Sequence, residues 1–331
     1  MELLEKLTKC ISPSGREGEI SDLITSELKN VCDEIYKDAL GNLICHKKGN
    51  GKKLMIAAHM DEIGFFVNHI DENGFIRFST VGGVSKANVI DTAVKFTNKT
   101  VGKMSYETNE SASKAGFDKM FIDIGANTCE EAEKLVSIGD FATFYPFFSA
   151  MENKIMAKAL DDRAGCWALI RAMQNIKDIQ NDVYAVFTVQ EEVGLRGAKT
   201  AVASVQPDMA IAIDVSFTTD TPEAEGFNLH LGKGPSVKIK DASFIIHEGV
   251  KNIIIDSAKK EGIAYQLEAT NKGGTDAGAM QLANGGCAAG AISIPTRYIH
   301  SSTEVIDRND LENTAVLIRG IISNPVKKYL F

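Results

Sequence analysis

Residues 183–189, Val-Tyr-Ala-Val-Phe-Thr-Val, form a short apolar and β-branched run of the kind found in strands covered on both faces. The run stops in two adjacent carboxylates, Glu191 and Glu192, and Gly194 and Gly197 follow at once, so the chain turns there into a loop or helix start. In open α/β sheets ligands bind beyond that carboxyl edge. Neighbouring side chains on an extended segment point to opposite sides, which suits the two glutamates to different tasks. Most Glu-Glu pairs are simply solvated. The weight of this one therefore comes from what other strand ends supply.

Several do supply something. Residues 54–58 are a buried-type strand ending in His59-Met60-Asp61, and a metal-bound imidazole commonly gives its second N–H to a carboxylate such as Asp61. A satisfied core histidine is the plain alternative. Residues 155–160 lead into Asp161-Asp162-Arg163, then a helix with Trp167, Ile170, Met173 and Ile176 at helical spacing. Helix capping is the ordinary use of such aspartates, and metal coordination is the functional one. Residues 209–213 end in Asp214, and residues 288–294 precede a loop that holds His300.

The stretch from Ile63 differs in character. Strands at 65–70 and 75–78 flank an Asn73-Gly74 hairpin, and further short strands follow at 92–97, 101–106, 120–124 and 141–145. This predicts a small inserted β-barrel or sandwich over 63–154. The α/β segments 1–62 and 155–331 on either side belong together. Within it Thr128 and Glu131 form a capping box. Ser14 to Glu17 reads as another, opening a helix with Ile20, Leu23, Ile24 and Leu28 on one face. Elsewhere His247 is expected to cap, or to lie exposed on, a helix over 247–261 rather than to be a ligand, and Thr275 or Asp276 to cap a short helix after Gly273-Gly274.

Composition narrows the function. At 331 residues, with 44% apolar and 24% charged residues, the chain matches an ordinary soluble protein of two unequal domains. A net charge of -8 without a basic run weighs against nucleic-acid or membrane surfaces. The opening residues carry no long apolar core, so no secretory signal is expected. Six scattered cysteines without a Cys-x-x-Cys pair disfavour zinc knuckles and disulfide frameworks, and they predict reduced thiols of a cytoplasmic protein.

If the strands share one sheet, His59, Asp61, Asp161, Asp162, Glu191, Glu192, Asp214 and His300 converge on one edge. So many carboxylates repel unless cations sit among them. Two imidazoles with carboxylates and no cysteine suit zinc, cobalt or manganese. Two such cations, about 3.5–4 Å apart and bridged by one carboxylate and one water, would lower the water's pKa and polarise a carbonyl. One carboxylate outside the coordination shell would then move the proton, and the Glu191–Glu192 pair supplies one ligand and one base.

The ordered motifs His-x-Asp, Ala-Leu-Asp-Asp-Arg, Glu-Glu-Val-Gly-x-Arg-Gly-Ala, a strand-ending Asp and Tyr-Ile-His-Ser resemble the di-metal aminopeptidases of the M42 or TET type, some of which carry the name cellulase M. The resemblance covers essentially the whole chain. It implies an α/β/α metallopeptidase domain with a mixed sheet and an inserted β-domain that mediates dimer contacts. It implies that His59 and Asp214 bind one metal, Glu192 and His300 the other, and that Asp161 bridges them. Glu191 would be the general base, Asp61 would orient His59, and Asp162 would follow Asp161 through a cis peptide. Zinc is the first choice of metal, cobalt and manganese the alternatives. Substrates would be short peptides with a free N-terminus, and dimers would assemble into a hollow dodecamer.

Two other functions compete. An endo-acting glycoside hydrolase needs a pair of carboxylates across the scissile bond, but it leaves His59 and His300 unexplained and finds the single tryptophan, Trp167, on a predicted buried helix. A catalytically silent oligomeric scaffold is the second, and it gives Glu191 beside Glu192 no role.

Overall fold

A computed structural model describes residues 1–108, 111, 115–224 and 228–330. The fold is mixed α/β with an eleven-stranded sheet and a separate closed six-stranded barrel. In the sheet, Asp182–Thr188, Lys53–His59, Met209–Phe217 and Ala288–Arg297 lie side by side and parallel. Antiparallel strands extend both flanks: Leu43–Lys47 pairs with Asp182–Thr188, and Glu304–Asp307 joins Ala288–Arg297 to Lys154–Ala157. Consecutive residues of the central strands are buried, as they must be in strands covered on both faces. The helices Leu160–Gln174 and Arg308–Ile322 pack on each other, and Arg196–Val205 packs on Asp276–Leu282.

The barrel contains Gly64–Ile70, Ile76–Val81, Ala93–Phe96, Val101–Tyr106, Met120–Asp123 and Phe141–Phe144. Antiparallel closure removes the exposed edges that short strands would otherwise present. Phe65 anchors its interior, meeting Phe78 and Phe144 edge to face with ring centroids 5.4 Å away in each case. The strands Phe148–Ala150 and Lys154–Ala157, which follow the barrel, pair within the large sheet.

Three expectations are corrected. The helix predicted after Ser14 begins at Gly18 with Glu17 at its cap position and no side-chain cap bond. The Ser14 hydroxyl instead donates to Asp61 Oδ2, and Glu17 Oε1 accepts from the main chains of Gly15 and Gln190. Asp214 is not at a strand end, since its strand runs on to Phe217. It reaches the edge because Ile213 is level with Ala58, one residue short of His59. Thr275 occupies the cap position of Asp276–Leu282 but its hydroxyl makes no cap bond, and Asp276 accepts from Thr188 Oγ1. Thr128 and His247 do cap, accepting from Glu131 N and Gly249 N.

Candidate metal centre

Parallel register carries the site. Thr188 is level with His59, so the ends of Asp182–Thr188 and Lys53–His59 lie at one height, with Glu191 and Glu192 just beyond. The Asp161–Asp162 peptide is cis, and both residues keep non-helical backbone angles before the helix settles. His300 has φ 63°, in the left-handed region that side chains other than glycine seldom adopt.

The two histidines meet on one carboxylate. His59 Nε2 lies 3.0 Å from Asp161 Oδ1 and 3.9 Å from Asp214 Oδ1. On the other side, His300 Nε2 lies 3.2 Å from Asp161 Oδ2 and 3.1 Å from Glu192 Oε2. Two groups of ligand-type atoms result, His59 with Asp161 and Asp214, and Asp161 with Glu192 and His300. Asp161 belongs to both. His59, Asp161, Glu192, Asp214 and His300 are therefore brought together, with Glu191 lining the same cavity, while Asp61 and Asp162 lie outside its lining.

Around them stands a shell of oriented groups. Asp61, fully buried, accepts from Glu191 N at 3.0 Å, Glu192 N at 3.3 Å and Ser14 Oγ at 2.6 Å, and its Oδ1 lies 3.6 Å from His59 Nδ1. Asp162 turns away from the cavity and accepts from Gly165 N at 3.0 Å. The barrel reaches His300 as well: the Gly83 carbonyl lies 2.8 Å from its Nδ1, and Asn88 Nδ2 donates to its carbonyl.

Charge explains why cations fit. Burial alone would lower the pKa of both imidazoles, yet the carboxylates overcome it. Asp161 and Asp61 raise His59 well above the usual range, and Asp161 and Glu192 push His300 up to about 12. Burial, with Asp161 next, lifts Glu192 and pushes Asp214 up to about 8. Burial also raises Glu191 well above its ordinary value, with Asp214, Asp276 and Glu192 adding to it. Asp161 moves the other way, because His300 and His59 outweigh its burial. The carboxylates outnumber the two imidazoles, and the upward shifts of Glu191, Glu192 and Asp214 record burial and a mutual repulsion that bound cations would relieve.

The tautomer of His300 sharpens the point. A carbonyl only accepts, so the Gly83 contact places the proton on Nδ1. In the neutral ring Nε2 is then a bare lone pair aimed at two carboxylate oxygens, an arrangement that needs a proton or a metal ion between them. Buried Glu192 Oε1 also has no hydrogen-bond partner. Imidazole nitrogen with carboxylate oxygen is a donor set for zinc-like divalent ions, and the residues present fit a pair of them.

Sequence reasoning missed several contributors. Glu304 accepts from both Asp161 N and His300 N. Glu62 sits between Lys158 and Arg163, all three buried, at 2.6 and 3.2 Å. Neither carried a sequence signal: Glu304 meets only main-chain N–H groups, and Glu62 directly follows the His59-Met60-Asp61 motif without a visible partner.

A shared-carboxylate cluster at the edge of a mixed α/β sheet, beside an inserted barrel, defines a metallopeptidase type of architecture. The sequence pattern described as M42 glutamyl aminopeptidase matches residues 41–317, and the chain belongs to that aminopeptidase family. The lysyl aminopeptidase of Pyrococcus furiosus is 37% identical over 97% of this chain and 96% of its own. A Pyrococcus horikoshii TET1 peptidase, described as assembling into a tetrahedron or a large octahedral shell, superposes with a TM-score of 0.87 at 34% identity, covering 97% of this chain and 98% of the other. A Thermotoga maritima structure named endoglucanase does so with a TM-score of 0.84 at 34% identity, covering 98% and 99%. Among the described residues no helix is long and apolar enough to cross a membrane.

Proposed function

We propose that the chain removes N-terminal residues from short peptides with the aid of two divalent metal ions. The single observation that carries this is the convergence of both imidazole Nε2 atoms on the two oxygens of Asp161. His59, Asp214 and Asp161 would hold one ion, and Glu192, His300 and Asp161 the other. When bound, such a pair supplies a water of lowered pKa and a polarised carbonyl.

The remaining roles fall to the chain itself. Glu191, at the cavity wall and outside both ligand groups, takes a proton from the attacking water and hands it to the leaving amine. Asp61 holds Glu191 and Glu192 in place through their main-chain N–H groups and faces the far nitrogen of His59. Carboxylates at the cavity wall attract the substrate's free ammonium, and the cavity of about 580 Å³ suits a small ligand or the end of a peptide.

Zinc is the metal we favour, with cobalt or manganese as working substitutes. We assign the chain to a homo-oligomer built from dimers, ultimately a dodecamer with inward-facing sites; in support, one similar TET1 structure is a dodecamer and another is described as assembling into a tetrahedron or a large octahedral shell. The inserted barrel is the element we assign to those contacts. Six free cysteines support a reducing, cytoplasmic setting. Glycoside hydrolysis draws no support from Trp167, which is buried on its helix with Arg171 over its ring.

The test is hydrolysis of a peptide and its N-acetylated form, before and after chelation and after addition of zinc, cobalt or manganese. Cleavage of the free peptide alone, lost on chelation and restored by metal, is expected. Equal cleavage of the acetylated peptide, or activity that survives chelation, overturns the reading.

A further inference from the structure

Glu304 touches neither ligand side chain yet ties the two ligand groups together. It opens the strand Glu304–Asp307, pairs with Ala157 across the sheet edge, and is 2% exposed. Each of its carboxylate oxygens takes one backbone N–H, Oε2 from Asp161 at 2.9 Å and Oε1 from His300 at 2.8 Å. Those two residues also meet through their side chains at 3.2 Å, which closes a loop of contacts: Asp161 main chain, Glu304, His300 main chain, His300 ring, Asp161 side chain.

A carboxylate is a costly choice at that place. Asp161 is close by, and like charges at short range disfavour one another. A water or a carbonyl oxygen would satisfy either N–H alone. A carboxylate gives each N–H its own acceptor oxygen at a separation fixed by the group and, when ionised, brings no donor against either. His300 needs such a hold, because its left-handed backbone persists only where its surroundings determine it. Asn88 grips the His300 carbonyl and Glu304 grips its N–H, so the residue is held from both sides.

From this geometry we infer that Glu304 is a positioning residue: it fixes the spacing between Asp161 and His300 and thereby sets the affinity of the Asp161–Glu192–His300 site for its metal ion. The inference rests on the two-ion reading above. It assigns Glu304 no contact with metal or substrate. The His59–Asp161–Asp214 site, whose other two ligands lie on separate strands, is affected less.

The decisive variant is Glu304→Gln, which keeps the volume, retains one acceptor oxygen and turns an NH₂ against a backbone N–H. Binding is read on the full chain without substrate, by equilibrium dialysis against Co²⁺ with the visible absorption of the bound ion as the signature. Wild type should take up two Co²⁺ per chain. In Glu304→Gln the dissociation constant of the second ion should rise roughly 10–100-fold, the range found when outer partners of metal ligands are removed. At limiting Co²⁺ kcat should fall while KM holds, and excess Co²⁺ should recover it.

Glu304→Asp keeps the charge but shortens the reach by one methylene, and it should show the same weakened second site if Glu304→Gln does not fold. Two ions bound with wild-type affinity and an unchanged absorption spectrum in either folded variant, with or without a lower Tm, would overturn the inference and leave the two-ion reading intact. Fewer than two ions on the wild type would instead overturn the two-ion reading and the inference with it.

Discussion

Replacing Glu191 by glutamine isolates the proton-transfer step. Its main-chain N–H is committed to Asp61 Oδ1 at 3.0 Å, and that bond does not depend on the side chain. Gln preserves volume and backbone hold and removes only the capacity to accept a proton. A positioned general base contributes roughly 10²–10⁴-fold, or about 2.7–5.4 kcal/mol at 1.36 kcal/mol per factor of ten. kcat should fall by that factor, KM should change little, and metal content should hold because Glu191 belongs to neither ligand group. Stability should not drop either, since burial and repulsion from Asp214, Asp276 and Glu192 all oppose a charge at this position. The assay is steady-state hydrolysis of aminoacyl chromogenic substrates, with metal content and Tm measured on the same preparation. A kcat within about threefold of wild type would refute a proton-transfer role of this size. Activity lost in step with metal would make Glu191 a ligand instead.

Two further outcomes follow from the packing. Glu62→Gln leaves the buried cations Lys158 and Arg163 without their shared counter-charge, so urea unfolding should show a loss of roughly 3–5 kcal/mol; a loss under about 1 kcal/mol would mean that the network relaxes freely. Gly83→Ala would place a Cβ 3.0 Å from His300 Nδ1 and 3.1 Å from its Cε1, forcing the ring aside. The ring must yield by a few tenths of an ångström, so kcat should fall by roughly three- to tenfold, less than the hundredfold that a misplacement of about 1 Å can cause, with Tm little changed, and wild-type kcat would show that the ring is not held from this side.

The sequence made the ends before His59, Asp161 and Glu191 legible because those buried runs stop at or just short of a ligand-type side chain, a pattern set by local periodicity. The Asn73-Gly74 hairpin and the Thr128 cap were legible for the same reason, being chemistry within a few residues. Long-range polar contacts were not. Ser14 looked like a helix cap, but Asp61, 47 positions away, takes its hydroxyl. Asp214 looked like a strand end because β-branched composition does not mark where pairing with Ala288–Arg297 stops. Glu304 escaped since its contacts are to the main chains of residues 143 and four positions away, and a backbone N–H leaves no trace in residue type. Gly83 and Asn88 escaped because nothing in the barrel's strand pattern says which of its loops faces the sheet.

The most direct test of the account is anomalous diffraction from crystals of the zinc- or cobalt-loaded protein, recorded at the metal's absorption edge. Two peaks per chain are expected, one among His59, Asp161 and Asp214 and one among Asp161, Glu192 and His300, separated by roughly 3.5–4 Å. A single peak away from Asp161, or none in this cluster, would contradict it.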